Sequence, residues 1–99
     1  MNNMTVIVTV YVIQYGHGDK ALELLTALAK LTRLEPGNSS YIIHRSPRNP
    51  RCFFSYESYE TRDAFDAHLA STHFQQYTSR LHGICESRDL AEYVLLDEE

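Results

Sequence analysis

His68 and His73 are the side chains in this sequence best suited to proton chemistry, because imidazole is the group that ordinarily titrates near neutrality. His68 falls one turn after Phe65 and beside Leu69 in a segment of helical periodicity. It therefore shares the apolar face expected to meet a sheet. From there it could take the proton of a phenolic hydroxyl and leave the ring electron-rich enough to react with oxygen. A hydrogen-bonded structural histidine is the competing reading. His73 follows five residues later, which is not the i, i+4 spacing that puts two imidazoles on one metal in a helix, so no metal is expected. Ser71 and Thr72 could instead break the helix, with His73 capping the next one or lining a pocket mouth.

Tyr56 and Glu57 are neighbours in a strand-like segment and must point to opposite faces, so only one of them can face the helices. The phenol of Tyr56 could hydrogen-bond a bound hydroxyaromatic, whereas Glu57 could serve as a base or pair with an arginine across a dimer. Phe54, Tyr59 and Phe65 read first as core, although an aromatic pocket would suit a flat substrate. No Ser-His-Asp or Cys-His arrangement stands out, and neither a GxGxxG nor a Walker pattern is present. No cofactor is expected, and any oxidation would take its reducing electrons from the substrate.

These residues need elements to hold them. Thr5 to Ile13 is rich in Val, Ile, Thr and Tyr and reads as a strand. Val6, Val8, Val10 and Val12 point one way and Thr5, Ile7, Thr9, Tyr11 and Ile13 the other, so neither face is properly polar. After Gly16-His17-Gly18, a helix carries Ala21, Leu24, Leu25, Leu28, Leu31 and Leu34 at the spacing of one apolar stripe. It stops at Glu35-Pro36-Gly37. Asn38 to Ser46 and Arg51 to Tyr59 form a hairpin across the turn Ser46-Pro47-Arg48-Asn49-Pro50. Thr61 suits the N-cap of a second helix on which Ala64, Phe65, His68 and Leu69 share a face. A further helical stretch starts near Ser71, and Tyr93 to Leu96 is the most strand-like part of the loosely alternating end. Asp97-Glu98-Glu99 reads as a solvated tail.

With 99 residues the chain has room for one core, so residues 1–99 are expected to be a single domain. The formal charge of −4 and scattered basic residues argue against a nucleic acid partner, whose binding runs on clustered Lys and Arg. No apolar run reaches the roughly 18–20 residues that span a bilayer, and Met1-Asn2-Asn3-Met4 lacks the features of a signal peptide. A cytoplasmic protein with no membrane partner is expected. Cys52 and Cys85 show no CxxC or zinc spacing and read as buried small hydrophobes.

Strand, helix, strand, strand, helix, strand is the order of an α+β ferredoxin-like βαββαβ fold, an antiparallel sheet with both helices on one face. That leaves the other face bare. Covering several hundred Å² of apolar surface at about 25 cal/mol per Å² is worth on the order of 10 kcal/mol before association costs. A homodimer through the sheet faces is the expected cover.

Glu35-Pro36-Gly37-Asn38, Tyr56-Glu57-Ser58-Tyr59, Phe65-Asp66-Ala67-His68 and Ser71-Thr72-His73-Phe74 together resemble the antibiotic biosynthesis monooxygenase family, most closely its small quinol monooxygenase-type members. The resemblance covers element order from Val6 to Leu96, and its specific motifs lie in residues 35–74. It implies a dimeric α/β barrel. It also suggests that the Asn38 amide orients a substrate oxygen, against the plainer reading of a turn-forming asparagine. Ser39, Ser40 and Ile42 depart from the family's usual larger or charged residues, so no substrate contact is carried over there. The chain has no tryptophan, which argues against the haem-degrading branch.

The resulting expectation is a cofactor-independent monooxygenase that oxidises a small hydroxylated aromatic or quinol with O2. His68 would be the base, Tyr56 and Asn38 would orient oxygens, and His73, Phe65, Glu57 and Phe54 would contact substrate. A non-oxidative isomerase or processing enzyme for a small carbonyl compound, and a non-catalytic dimeric binding module, are the alternatives.

Overall fold

The structure is a computed structural model that describes residues 4–97. Among these the chain forms β1 (Thr5–Ile13), α1 (Gly18–Thr32), β2 (Asn38–Arg45), β3 (Cys52–Tyr59), α2 (Arg62–Leu69), α3 (Thr72–His82) and β4 (Cys85–Val94). The strands make one sheet in the order β2-β3-β1-β4, with every pairing antiparallel. This is the ferredoxin-like βαββαβ arrangement, its second helical segment divided into α2 and α3.

The helices cover one face of the sheet. Ile7, Tyr11, Ile13, Phe53 and Tyr59 are buried beneath them, and Thr9, Ser55 and Glu57 share that face. The valines of β1 lie on the other side, where Val10 stays 44% exposed. In α1 the inward stripe is Ala21, Leu24, Leu25, Leu28, Ala29 and Thr32. Leu31 and Leu34, expected in that stripe, are instead exposed. The stripe drifts around the helix, and Thr32 takes the inward place because its hydroxyl is satisfied by donating to Leu28 O at 2.8 Å.

Gly37 matters for packing. A Cβ there would lie 2.3 Å from Ala64 Cβ, so only glycine lets the turn after α1 press against α2. Thr61 caps α2 by accepting from Ala64 N at 3.1 Å. Ser71 caps α3 by accepting from Phe74 N and donates its own hydroxyl to His68 O at 2.6 Å. The helix cap is therefore Ser71, and His73 turns inward.

The last strand begins earlier than its composition suggests, at Cys85, and ends at Val94 rather than Leu96. Its pattern is weak because it is an edge strand whose partner is β1 alone and whose helix-side residues Arg88, Leu90 and Glu92 remain exposed. Cys52 and Cys85 are free but half-buried rather than fully buried, and burial pushes the Cys85 thiol up. Among the described residues no helix is long and apolar enough to cross a membrane. The tail residues Glu98 and Glu99 lie outside the described residues.

Candidate functional site

The helical segment breaks at Ala70, which ends α2, and Ser71, whose extended backbone starts α3. The break defeats the spacing argument made for a continuous helix. It rotates His73 back towards His68, so that the two ring centroids lie 6.1 Å apart, and Glu35 reaches both. Glu35 Oε2 lies 2.8 Å from His68 Nδ1 and 2.5 Å from His73 Nε2. The turn that places it is fixed by Glu35 N donating to Thr32 O at 2.9 Å and Asn38 N donating to Glu35 O at 3.1 Å.

A carboxylate can only accept hydrogen bonds, so each imidazole turns an N–H towards it. For His68 that puts the proton on Nδ1 and leaves the Nε2 lone pair free. Burial holds the imidazole of His68 below its ordinary value, with the Glu35 hydrogen bond and charge pulling the other way. Neutral His68 with a free Nε2 is the form a general base requires. Its surroundings are aromatic: Phe74 meets it edge-on at 4.9 Å between centroids, with Tyr59 at 5.4 Å, Tyr41 at 6.0 Å and Phe65 at 6.2 Å. His68 itself is 1% exposed.

A second polar group lies under the same helices. Glu57 is 3% exposed and accepts from Tyr59 Oη at 2.7 Å, Ser55 Oγ at 2.8 Å and Thr9 Oγ1 at 3.4 Å. The antiparallel register brings these donors to it, since Thr9 pairs with Ser55 and Ser55, Glu57 and Tyr59 alternate along one face of β3. Burial still raises its carboxyl above the usual range, against the hydrogen bonds and the charge of Arg88. Burial likewise pushes up the phenols of Tyr11, Tyr41 and Tyr59, with the charge of Glu57 adding to it. All three stay neutral, and Tyr59 donates to Glu57. The Arg88 guanidinium stands 6.0 Å from the Tyr11 ring and 5.7 Å from the Phe74 ring, on the side where β4 is not covered by helices.

The structure brings together His68, His73 and Phe65, and sets Glu57 on the same side of the sheet. It separates them from Tyr56 and Phe54, which project from the opposite face and are 37% and 38% exposed. Placing Tyr56 in one pocket with His68 is thus corrected by strand alternation: with Glu57 inward, Tyr56 must be outward. Asn38 is also not in the cluster. Its amide donates to Ser40 O at 2.9 Å and Ser58 O at 3.3 Å, bridging the irregular register at the start of β2.

Glu35 is the residue that reading by spacing missed, having served there only as the end of a helix. Its place one residue before the Pro-Gly turn was visible, but its 33-residue separation from His68 was bridged only by the packing of Gly37 on Ala64. Arg88 was equally silent, since nothing local marks an edge-strand arginine, whereas Tyr59 read as core without its hydrogen bond to Glu57.

A four-stranded antiparallel sheet with a histidine–carboxylate pair under its helices defines a ferredoxin-like protein with a candidate acid–base site. The model of the antibiotic biosynthesis monooxygenase family matches residues 4–80, and the chain belongs to that family. The family's fold is a dimeric α/β barrel. Among solved structures, a Shewanella oneidensis protein superposes with a TM-score of 0.90 at 25% identity, covering 96% of this chain and 93% of its own. A Nitrosomonas europaea protein, described as a candidate antibiotic biosynthesis monooxygenase, has a TM-score of 0.91 at 24% identity, covering 97% of this chain and 93% of its own. A Mycobacterium tuberculosis protein has a TM-score of 0.78 at 25% identity, covering 97% and 96%. No curated protein matches the chain by sequence.

Proposed function

We propose that the chain is a cofactor-independent monooxygenase acting with O2 on a small hydroxylated aromatic or quinol, as a cytoplasmic homodimer. One observation carries the reading: Glu35 holds His68 at Nδ1, leaving Nε2 bare inside an aromatic box. Substrate approaches from the β4 side, where Arg88, Leu90 and Glu92 leave the helix face of the sheet exposed. Phe74 and the tyrosines shift to accept the flat ring. His68 Nε2 takes the phenolic proton, and the Arg88 guanidinium stabilises the anion that forms. The electron-rich ring then reduces O2. One oxygen atom enters the substrate and the other leaves as water, both electron pairs coming from the substrate; His68 returns one proton to that water and the oxidised substrate gives up the second.

The open sheet face supports the dimer. Val10, Ile42, Phe54 and Tyr56 are 44%, 46%, 38% and 37% exposed on it. These are too many apolar side chains in one patch for a monomer. In the dimer, Tyr56 and Phe54 act at the subunit boundary, and Asn38 orients the start of β2.

Oxygen uptake with a panel of small quinols tests the chemistry. His68→Ala should lower it at least about 100-fold, the scale of a positioned general base. Unchanged uptake in a folded variant would sink the assignment. The tight packing around His68 favours a second reading, a non-catalytic dimeric binding module. In that case quinols bind and quench tyrosine fluorescence without any oxygen being consumed.

A further inference from the structure

The carboxylate that orients His68 has an unfinished side. Glu35 Oε1 is buried with no hydrogen-bond partner among the described residues, while Oε2 is shared by two imidazoles. A buried carboxylate oxygen left without a donor is costly. One carboxylate oxygen of Glu35 and one ring nitrogen each of His68 and His73 all lie within 4.8 Å of one another. Two imidazoles and one carboxylate are the donor set of open three-ligand zinc sites, whereas harder ions prefer all-oxygen sites.

The fit is close in length. Zinc–ligand bonds of about 2.0–2.2 Å place tetrahedral donors roughly 3.3 Å apart, so Glu35 Oε2 would draw back by less than about 1 Å from each nitrogen while the two nitrogens close by at most about 1.5 Å. That retreat is available, because Glu35 sits in a turn and His73 is on the first turn of α3 with 23% of its side chain exposed. Entry is available too. A cleft of about 350 Å³, lined by Glu35, Gly37, Ala64, Ala67 and Ser71, opens on the carboxylate.

We propose that Glu35, His68 and His73 form a binding site for one divalent ion of the zinc class, and that its occupancy switches off His68. The ion takes the lone pair of His68 Nδ1 and displaces the proton donated there to Glu35. Neutral imidazole keeps one N–H, so the proton moves to Nε2, the atom that must be bare for the ring to act as a base. Metal and base therefore exclude each other through a change of tautomer. The ion-binding half of this proposal stands on geometry alone, and the switching half rests on the oxygenase reading above.

The test begins with the full chain stripped of metal and titrated with Zn2+ in a calorimeter. One zinc should bind per chain, while Mg2+ should not. His73→Ala, which removes a partly exposed ligand, should weaken binding by more than the roughly 10- to 100-fold lost with a mere supporting partner. Glu35→Gln should weaken it similarly, and His17→Ala, at the distant start of α1, should leave it intact. Absent zinc binding, or binding of equal strength in His73→Ala, overturns the proposal. Oxygen uptake then separates the two readings. Inhibition by zinc with full activity in chelator supports the switch, and activity that requires zinc overturns it. If no quinol is turned over under either condition, the oxygenase reading fails, and the switch fails with it. The ion site is still decided by the calorimetry.

Discussion

The two faces of the sheet reverse what hydrophobicity by itself would assign. The face under the helices carries Thr9, Ser55, Glu57 and three tyrosines among its buried residues, while the outer face carries the valines of β1, Ile42, Phe54 and Tyr56. The inner face tolerates polar groups because each finds a partner within the fold, as Glu57 does with three hydroxyls. The outer face leaves these apolar side chains half-exposed among Ser40, His44, Ser87 and Asp89, and no element of this chain covers it among the described residues. One face is finished by its own chain, and the other is the face proposed to meet a second copy.

Putting charge on the outer face should break this division most severely. Val8→Lys places an unpaired ammonium at the centre of the proposed interface, where an uncompensated buried charge costs about 3–5 kcal/mol. Sedimentation should show the unchanged protein as a dimer at micromolar concentration and the variant as a folded monomer. A monomer in both would remove the need for a second copy.

Removing the inner acceptor should come next. Glu57→Ala strands the hydroxyls of Tyr59 and Ser55, and leaving buried donors unpaired costs about 1–3 kcal/mol each. Urea denaturation should show a loss of about 3 kcal/mol, with Glu57→Gln, which keeps an acceptor, losing much less. Equal losses in the two variants would mean that volume rather than hydrogen bonding holds the inner face together.

The smallest effect is on pH. Because burial raises the carboxyl of Glu57 in the folded state, folding favours its protonated form. That contribution is fully present below the unfolded carboxyl value and is lost as pH rises through the raised folded one. Glu57→Gln has no such group. Relative to it, the unchanged protein should lose stability with rising pH above about 4.5, by at most about 1.4 kcal/mol per pH unit, until the folded group has ionised. Parallel stability curves would show that Glu57 ionises as easily inside as outside.

Much of the fold was legible in the sequence. The alternation of β1, the leucine stripe of α1, the Pro-Gly stop, the Thr61 cap and the restart at Ser71 are local signals, set by backbone geometry and side-chain period. They were read in the right places, with Leu31, Leu34 and the extent of β4 as the departures. The departures share a cause, since the direction a helix faces and the length of an edge strand are decided by what they pack against.

The site was legible only in part. Sequence placed His68 on an inward face and showed that Tyr56 and Glu57 must part, because both follow from periodicity. Which of the two went inward, and which carboxylate would meet the histidines, depended on contacts between residues dozens of positions apart. The three ligand candidates come from the turn after α1, the end of α2 and the start of α3. Local periodicity orders each of those segments separately, and only their mutual packing, with Gly37 against Ala64 and the helix broken at Ser71, brings one carboxylate within hydrogen-bond reach of two imidazoles.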